Sequence, residues 1–92
     1  MTIRRIRSAV KEGRYAYSAH ALEEMDDDQL TDSDVFGVIN RGKVVAKLTG
    51  DLRGTRFVVR GVAMDKETEV EVVCRFLSSG FLRIITVYAV EE

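Results

Sequence analysis

INRGKVVAKL, residues 39–48, contains the change of hydrophobic period that decides the fold. Up to Ile39 the apolar residues recur at helical spacing. From Lys43 onward they recur every second residue, with Val44, Ala46 and Leu48 alternating with Lys43, Val45 and Lys47. A stripe of period 3.6 belongs to a helix with one buried face, and a period of two to a strand. Gly42 stands between the two regimes, where a C′ glycine in the left-handed conformation ends a helix.

Working back from this point, Val35, Val38 and Ile39 form the apolar stripe of one helix. Thr31 followed by Asp34 resembles a capping box with Asp in place of the usual Glu or Gln. A preceding helix places Ala21, Leu22 and Met25 on a common face, with Ser18 as its N-cap. Ile3, Ile6, Ala9 and Val10 mark a first helix, with Thr2 as its cap and Gly13 at its end. Tyr15-Ala16-Tyr17 reads as a connector.

Working forward, Gly50, Asp51 and Gly54 mark a turn. A strand from Arg56 to Ala63 puts Phe57, Val59, Gly61 and Ala63 on one side and Arg56, Val58, Arg60 and Val62 on the other. Asp65-Lys66-Glu67 is a hairpin turn. The next strand, Glu69 to Leu77, divides into Val70, Val72, Cys74 and Phe76 against Glu69, Glu71, Val73, Arg75 and Leu77. After Ser78-Ser79-Gly80, a last strand from Leu82 to Val90 is apolar on both faces, as a central strand is. Three helices followed by four hairpin-connected strands make an α+β domain, with the N-terminal helices packed on one face of a four-stranded antiparallel sheet. The 92 residues fit a single domain, 1–92.

Composition narrows the chemistry. One cysteine, Cys74, rules out an internal disulfide and suits a reducing cytoplasm. It falls on the core side of its strand and reads as buried and inert. One Cys and one His leave no basis for a structural zinc site, and neither a metal nor a cofactor is expected. The N-terminus MTIRRIRSAVKEG has no signal-peptide apolar region, and no segment is long and apolar enough for a membrane span, so a cytoplasmic location is expected.

The net charge of −1 calls for no polyanionic partner in bulk. Its distribution is uneven: residues 4–14 carry five bases and one acid, 23–34 seven acids and no base, and 41–60 six bases and one acid. On the strand pattern, the sheet face away from the helices collects Lys43, Lys47, Arg56, Arg60, Arg75 and Arg83. Arginine suits a phosphate because its planar fork binds two oxygens and stays charged. An exposed sheet also carries alternating charges for solubility, and Glu69 and Glu71 share this face. His20, the only histidine, lies in the first turn of the second helix; imidazole can act as acid or base at neutral pH. The run Asp26-Asp27-Asp28 lacks the glycine and terminal Glu of a calcium loop and reads as a solvated helix end. Tyr88, near the end of the last strand, has a hydroxyl that can orient a phosphate or supply a proton.

Ser18-x-His20-Ala21, Met25, Asp34-Val35, Gly42-x-Val44 and the closing Arg83-Ile84-Ile85-Thr86-Val87-Tyr88 resemble the DUF4258 family of small bacterial proteins, from about Tyr15 to Val90. The resemblance implies a relative of the RelE-type toxin fold, with an RNA-cleaving site on the sheet face away from the helices. It also implies a toxin–antitoxin pair with a small zinc-finger antitoxin as partner. His20 matches the histidine of that pattern, and Arg83 and Tyr88 match its terminal strand. Family members commonly carry Arg four and eight residues after the histidine; this chain has Glu24 and Asp28 there. Three readings stay open: the RNA binding or catalysis those bases serve is lost in this chain, Arg53, Arg56 and Arg60 take it over, or those bases have only surface roles.

The expected function is a metal-independent ribonuclease toxin acting on RNA or the ribosome. In it His20, Tyr88 and Arg83 are catalytic, and Arg56, Arg60 and Arg75 bind the substrate. The alternative is a non-catalytic protein-interaction module on the same fold, with a homodimer through an edge strand as one form.

Overall fold

The computed structural model describes residues 2–90. Helix α1 (Thr2–Lys11) buries Ile6 and Ala9. Thr2 is its first residue rather than its cap, and the residue before it lies outside the described part. Gly13 ends the helix at φ +75°, a left-handed conformation that costs glycine little, while the Arg14 N–H reaches back to the Ala9 carbonyl at 2.8 Å.

Tyr15-Ala16-Tyr17 is not a connector. It is strand β1, paired in parallel with the last strand of the chain. Three residues are too short to display a period, and the partner lies more than sixty positions away, so local pattern carried no sign of it. Tyr15 packs edge-on against Tyr17 and Phe36, with centroid separations of 5.9 and 5.5 Å.

Helix α2 (Ala19–Asp27) is capped by Ser18, whose hydroxyl accepts the Ala21 N–H at 3.0 Å and donates to the Ile85 carbonyl at 2.7 Å. The cap thereby ties the helix to the last strand. Ala21 and Met25 are buried, but Leu22 lies beyond the edge of the buried stripe, 52 % exposed. Helix α3 (Asp32–Arg41) starts with the Thr31–Asp34 capping box. Asp34 also accepts the Met64 N–H at 2.9 Å. That bond, followed by those from Thr31, holds its carboxyl below the ordinary 3.8.

Gly42 caps α3, but at φ −84° it is extended, not left-handed. Glycine is needed there for a different reason. A Cβ would collide with the carbonyl oxygens of Val38 and Arg60, and would lie 2.9 Å from the Arg60 carbonyl carbon. Gly61 faces it across the same contact, so two glycines let the end of α3 touch the sheet. Replacing Gly42 by either Ala or Asn is therefore expected to lower unfolding stability by about 2 kcal/mol in urea titrations. A left-handed cap would have tolerated Asn. Arg7 holds this junction from α1, donating to the carbonyls of Ile39 at 2.9 Å and Gly42 at 3.0 Å.

The sheet comprises β1, β2 (Lys43–Leu48), β3 (Arg56–Val62), β4 (Glu69–Phe76) and β5 (Leu82–Ala89), in the order β1-β5-β4-β3-β2. The described residues are thus α+β, with three helices on a five-stranded sheet. The four-stranded antiparallel expectation lacks the parallel edge strand β1. The meander from β2 to β5 is antiparallel as expected. The helices bury Ile6, Val35, Val38 and Ile39 against Val59, Val70, Val72, Leu82, Ile84 and Val87.

Two bulges reset the alternation. In β2, Val44 pairs with Val59 and Ala46 with Val58, leaving Val45 unpaired. Lys47 then pairs with Phe57 on the helix side of the sheet, so it does not belong to the outer face. Ala46 and Leu48 likewise turn outward, opposite Val58 and Arg56. In β5, Val73 pairs with Thr86 and Cys74 with Ile84, leaving Ile85 unpaired. A bulge inserts one residue and reverses which face the following side chains take. Leu82 and Ile84 are inside before it and Val87 after it. This explains the apparent two-faced hydrophobicity of the strand.

Candidate nucleic-acid interface

Cross-strand partners share a face, so the pairings give the layout of the outer surface. One row, near the β4–β5 hairpin, holds Leu48 opposite Arg56 and Arg75 opposite Arg83, with Ala16 beside Arg83. The middle row is Ala46, Val58, Val73 and Thr86. The far row is Lys43, Arg60, Glu71 and Tyr88. The arginines expected on one surface are thus divided by a largely apolar row.

The first group forms a cleft of about 190 Å³ lined by Ser18, His20, Asp51, Arg53, Arg56, Arg75, Arg83 and Ile85. Three sources build it. The strands β3, β4 and β5 contribute Arg56, Arg75 and Arg83. The turn after β2 contributes Asp51 and Arg53, whose N–H is held by the Asp51 carboxylate at 2.8 Å. The first turn of α2 contributes His20, brought there by the bond from Ser18 to the bulged Ile85. Arg83 precedes the β5 bulge, and the bulge turns Thr86 and Tyr88 to the same face.

Positive charge dominates the cleft. Asp51, its one acid, contacts Arg56 Nε at 3.7 Å, beyond hydrogen-bond length. The Asp51 carboxyl is held below its ordinary 3.8, first by the Arg53 N–H and then by the charges of Arg56, Arg53 and Arg75. Among the described residues Arg53, Arg75 and Arg83 form no ion pair, and the buried Nε atoms of Arg56 and Arg75 have no hydrogen-bond partner. Arg75 directly opposite Arg83 is a like-charge cross-strand pair, an arrangement that destabilises a sheet.

His20 is 65 % exposed, with Nε2 3.3 Å from Glu24 Oε1. A carboxylate at that distance can orient the ring. Among the described residues no three His, Cys, Asp or Glu side chains come together as a metal-ligand set. Cys74 is buried, and burial pushes its thiol up to about 12.

Arg60 and Tyr88 belong to the other group. Arg60 pairs with Glu69 at 2.8 Å and lies 3.8 Å from Glu71. The Tyr88 hydroxyl donates to Glu71, and that bond, then burial, raises its pKa. Tyr88 lies five positions along β5 from Arg83, roughly 16 Å at the usual strand rise. One phosphate cannot meet both. The structure therefore unites His20, Arg56, Arg75 and Arg83, and keeps Arg60 and Tyr88 apart from them. Arg53, named from the sequence as one base that can take over from those absent at 24 and 28, lies in the cleft; Asp51, read only as part of a turn, is the addition.

The family comparison agrees with the early resemblance. The model of a domain of unknown function, DUF4258, matches residues 17–89. The chain belongs to the DUF4258 family. No curated protein and no solved structure matches it. No helix among the described residues is long and apolar enough to cross a membrane.

Against the DUF4258 pattern implied by the resemblance, Glu24 and Asp28 are acids in place of bases, and the structure gives both a task. Strand β1 covers β5 only from Leu82 to Ile84. Beyond that, the free N–H groups of β5 are met by α2. Val87 donates to Glu24 at 3.2 Å and Ala89 to Asp28 at 2.9 Å. A neighbouring strand would otherwise satisfy these donors. Asp28→Ala should cost about 1 kcal/mol of stability and speed hydrogen exchange at the Ala89 amide, while Asp27→Ala leaves both unchanged.

Proposed function

We propose that this chain is a RelE-like, metal-independent endoribonuclease, the toxin half of a bacterial toxin–antitoxin pair. The observation that carries this is the opposed, unpaired Arg75 and Arg83 beside Arg53, Arg56 and His20 in one cleft. Like charges at that spacing are unfavourable alone, and a bound phosphodiester reverses the sign of the interaction.

In the proposed reaction, His20 Nδ1 takes the proton of a ribose 2′-hydroxyl. The 2′-oxygen forms a bond to the adjacent phosphorus, and the bond to the 5′-oxygen breaks. The products are a 2′,3′-cyclic phosphate and a 5′-hydroxyl, whose proton comes from water. Arg75, Arg83 and Arg56 hold the non-bridging oxygens, where charge builds in the transition state. Glu24 orients the imidazole through its contact with Nε2. The proposed partner is a small zinc-finger antitoxin.

The test is incubation of the purified chain with single-stranded RNA and analysis of the product ends. Cyclic phosphate ends are expected; intact RNA sinks the proposal. The second reading, a non-catalytic interaction module, is favoured by one observation. Val45 and Leu48 stand exposed on β2, at a free edge of the sheet where another strand can add, as in a homodimer.

A further inference from the structure

We infer that the end of the β4–β5 hairpin is a platform for a base flanking the phosphate held in the arginine cleft, which makes unpaired RNA the substrate class. The inference rests on the cleft being a phosphate site.

The turn between the two strands is tightly held. The Leu77 N–H donates to the Phe81 carbonyl at 2.8 Å and the Gly80 N–H to the Leu77 carbonyl at 2.9 Å, with Gly80 at φ +92°. Leu77 and Phe81 are therefore opposite each other, one step beyond the Phe76–Leu82 pair. Leu82 is fully buried, so alternation carries Leu77 and Phe81 to the outer face with Arg75 and Arg83. Phe81 is 42 % exposed and Leu77 38 %. Single exposed apolar residues are ordinary on any surface. These two are adjacent, rigidly mounted, and two residues from the unpaired arginines, or ~7 Å along the strand. That is within the span of one nucleotide.

The other side of the same hairpin is also basic. Arg4, Arg5, Ser8, Arg14, Phe76 and Gly80 line a cleft of about 260 Å³ that contains no acid. Arg5 stacks on the Phe76 ring at 4.4 Å, and Arg14 donates to the Gly80 carbonyl at 3.0 Å while also meeting Glu12 at 2.7 Å. Arg4 and Arg5 have no ion pair among the described residues. An aromatic between two basic clefts is the arrangement by which unpaired strands are bound: bases stack and phosphates pair with arginine. A paired base has its faces covered by its neighbours and cannot use the platform.

The experiment measures binding of a short fluorescein-labelled RNA, 2′-O-methylated so that it cannot be cut, by anisotropy at several salt concentrations. It is run single-stranded and annealed to its complement. The expected results are weaker binding of the duplex, about tenfold weaker single-strand binding by Phe81→Ala, and retention by Phe81→Trp. Joint replacement of Arg4 and Arg5 by Ala should flatten the salt slope by about 1.4, from two lost phosphate contacts. If Phe81→Ala binds as the wild type does while Arg83→Ala binds weakly, the platform is refuted and the cleft stands. Equal binding of duplex and single strand also refutes it. If the wild-type chain binds neither RNA, the cleft reading falls as well.

Discussion

Replacing His20 by alanine is expected to lower RNA cleavage by about a thousandfold and to leave the fold intact. The magnitude is that of a lost general base. The expectation of an unchanged fold follows from its surroundings: the ring is 65 % exposed and, among the described residues, its one ion-pair contact is with Glu24. Glu24 keeps its bond from the Val87 N–H without it. The measurement is single-turnover cleavage beside a thermal melt. Because the arginine clamp is untouched, RNA affinity should stay within about twofold while the rate falls, the signature of an interaction made in the transition state. A parallel loss of affinity would assign His20 to binding instead.

Arg83→Ala should separate function from stability in the opposite direction to an ordinary surface substitution. Cleavage falls about a hundredfold, as when one stabilising donor of a transition state is removed. The melting temperature holds or rises, because the exposed Arg83 faces Arg75 across the strands and has no ion pair among the described residues. Arg60→Ala provides the contrast. Arg60 is bound to Glu69 and close to Glu71, so its loss leaves two neighbouring carboxylates on β4 without their guanidinium and lowers the melting temperature. Its effect on cleavage should be under fivefold, because it belongs to the other group on the face. Equal loss of activity in the two variants would show that the division of the outer face has no functional meaning.

Much of the architecture was legible because it depends on local signals. The change of period at Gly42, the Ser18 cap and the Thr31–Asp34 box each specify an element within a few residues, and each is present. What escaped was non-local. Strand β1 is defined by pairing with Leu82–Ile84, which three residues of sequence do not announce. The bulges at Val45 and Ile85 leave no compositional trace, yet they decide that Lys47 leaves the outer face and that Arg83 and Tyr88 share it. Gly42 was read at the right place for the wrong reason, since only the packed structure shows how closely Val38 and Arg60 approach it.

The site follows the same division. The residue types were visible: a lone histidine and arginines at alternate strand positions. Their grouping was not, because it depends on register. Arg75 opposite Arg83 and Arg60 opposite Glu71 differ by a few positions along a strand, but one makes an unpaired cation cluster and the other a neutralised one. The acids at 24 and 28 pointed to a lost site when read against the family pattern. In the structure they satisfy the exposed backbone of β5 and hold α2, with His20 on it, beside the cleft.

The most direct test of the central claim, that the cleft cuts RNA through the ribose 2′-hydroxyl, uses one labelled single-stranded RNA in two forms. One is all ribose; the other carries a 2′-deoxy nucleotide on the 5′ side of each preferred cleavage point. The purified chain is incubated with each, with a chelator present, and the fragments and their end groups are determined. Fragments with 2′,3′-cyclic phosphate ends are expected from the first, no cutting at the deoxy positions of the second, and neither product from the His20→Ala chain. Cleavage at the deoxy positions, or no cleavage of either RNA by a folded chain, would contradict it.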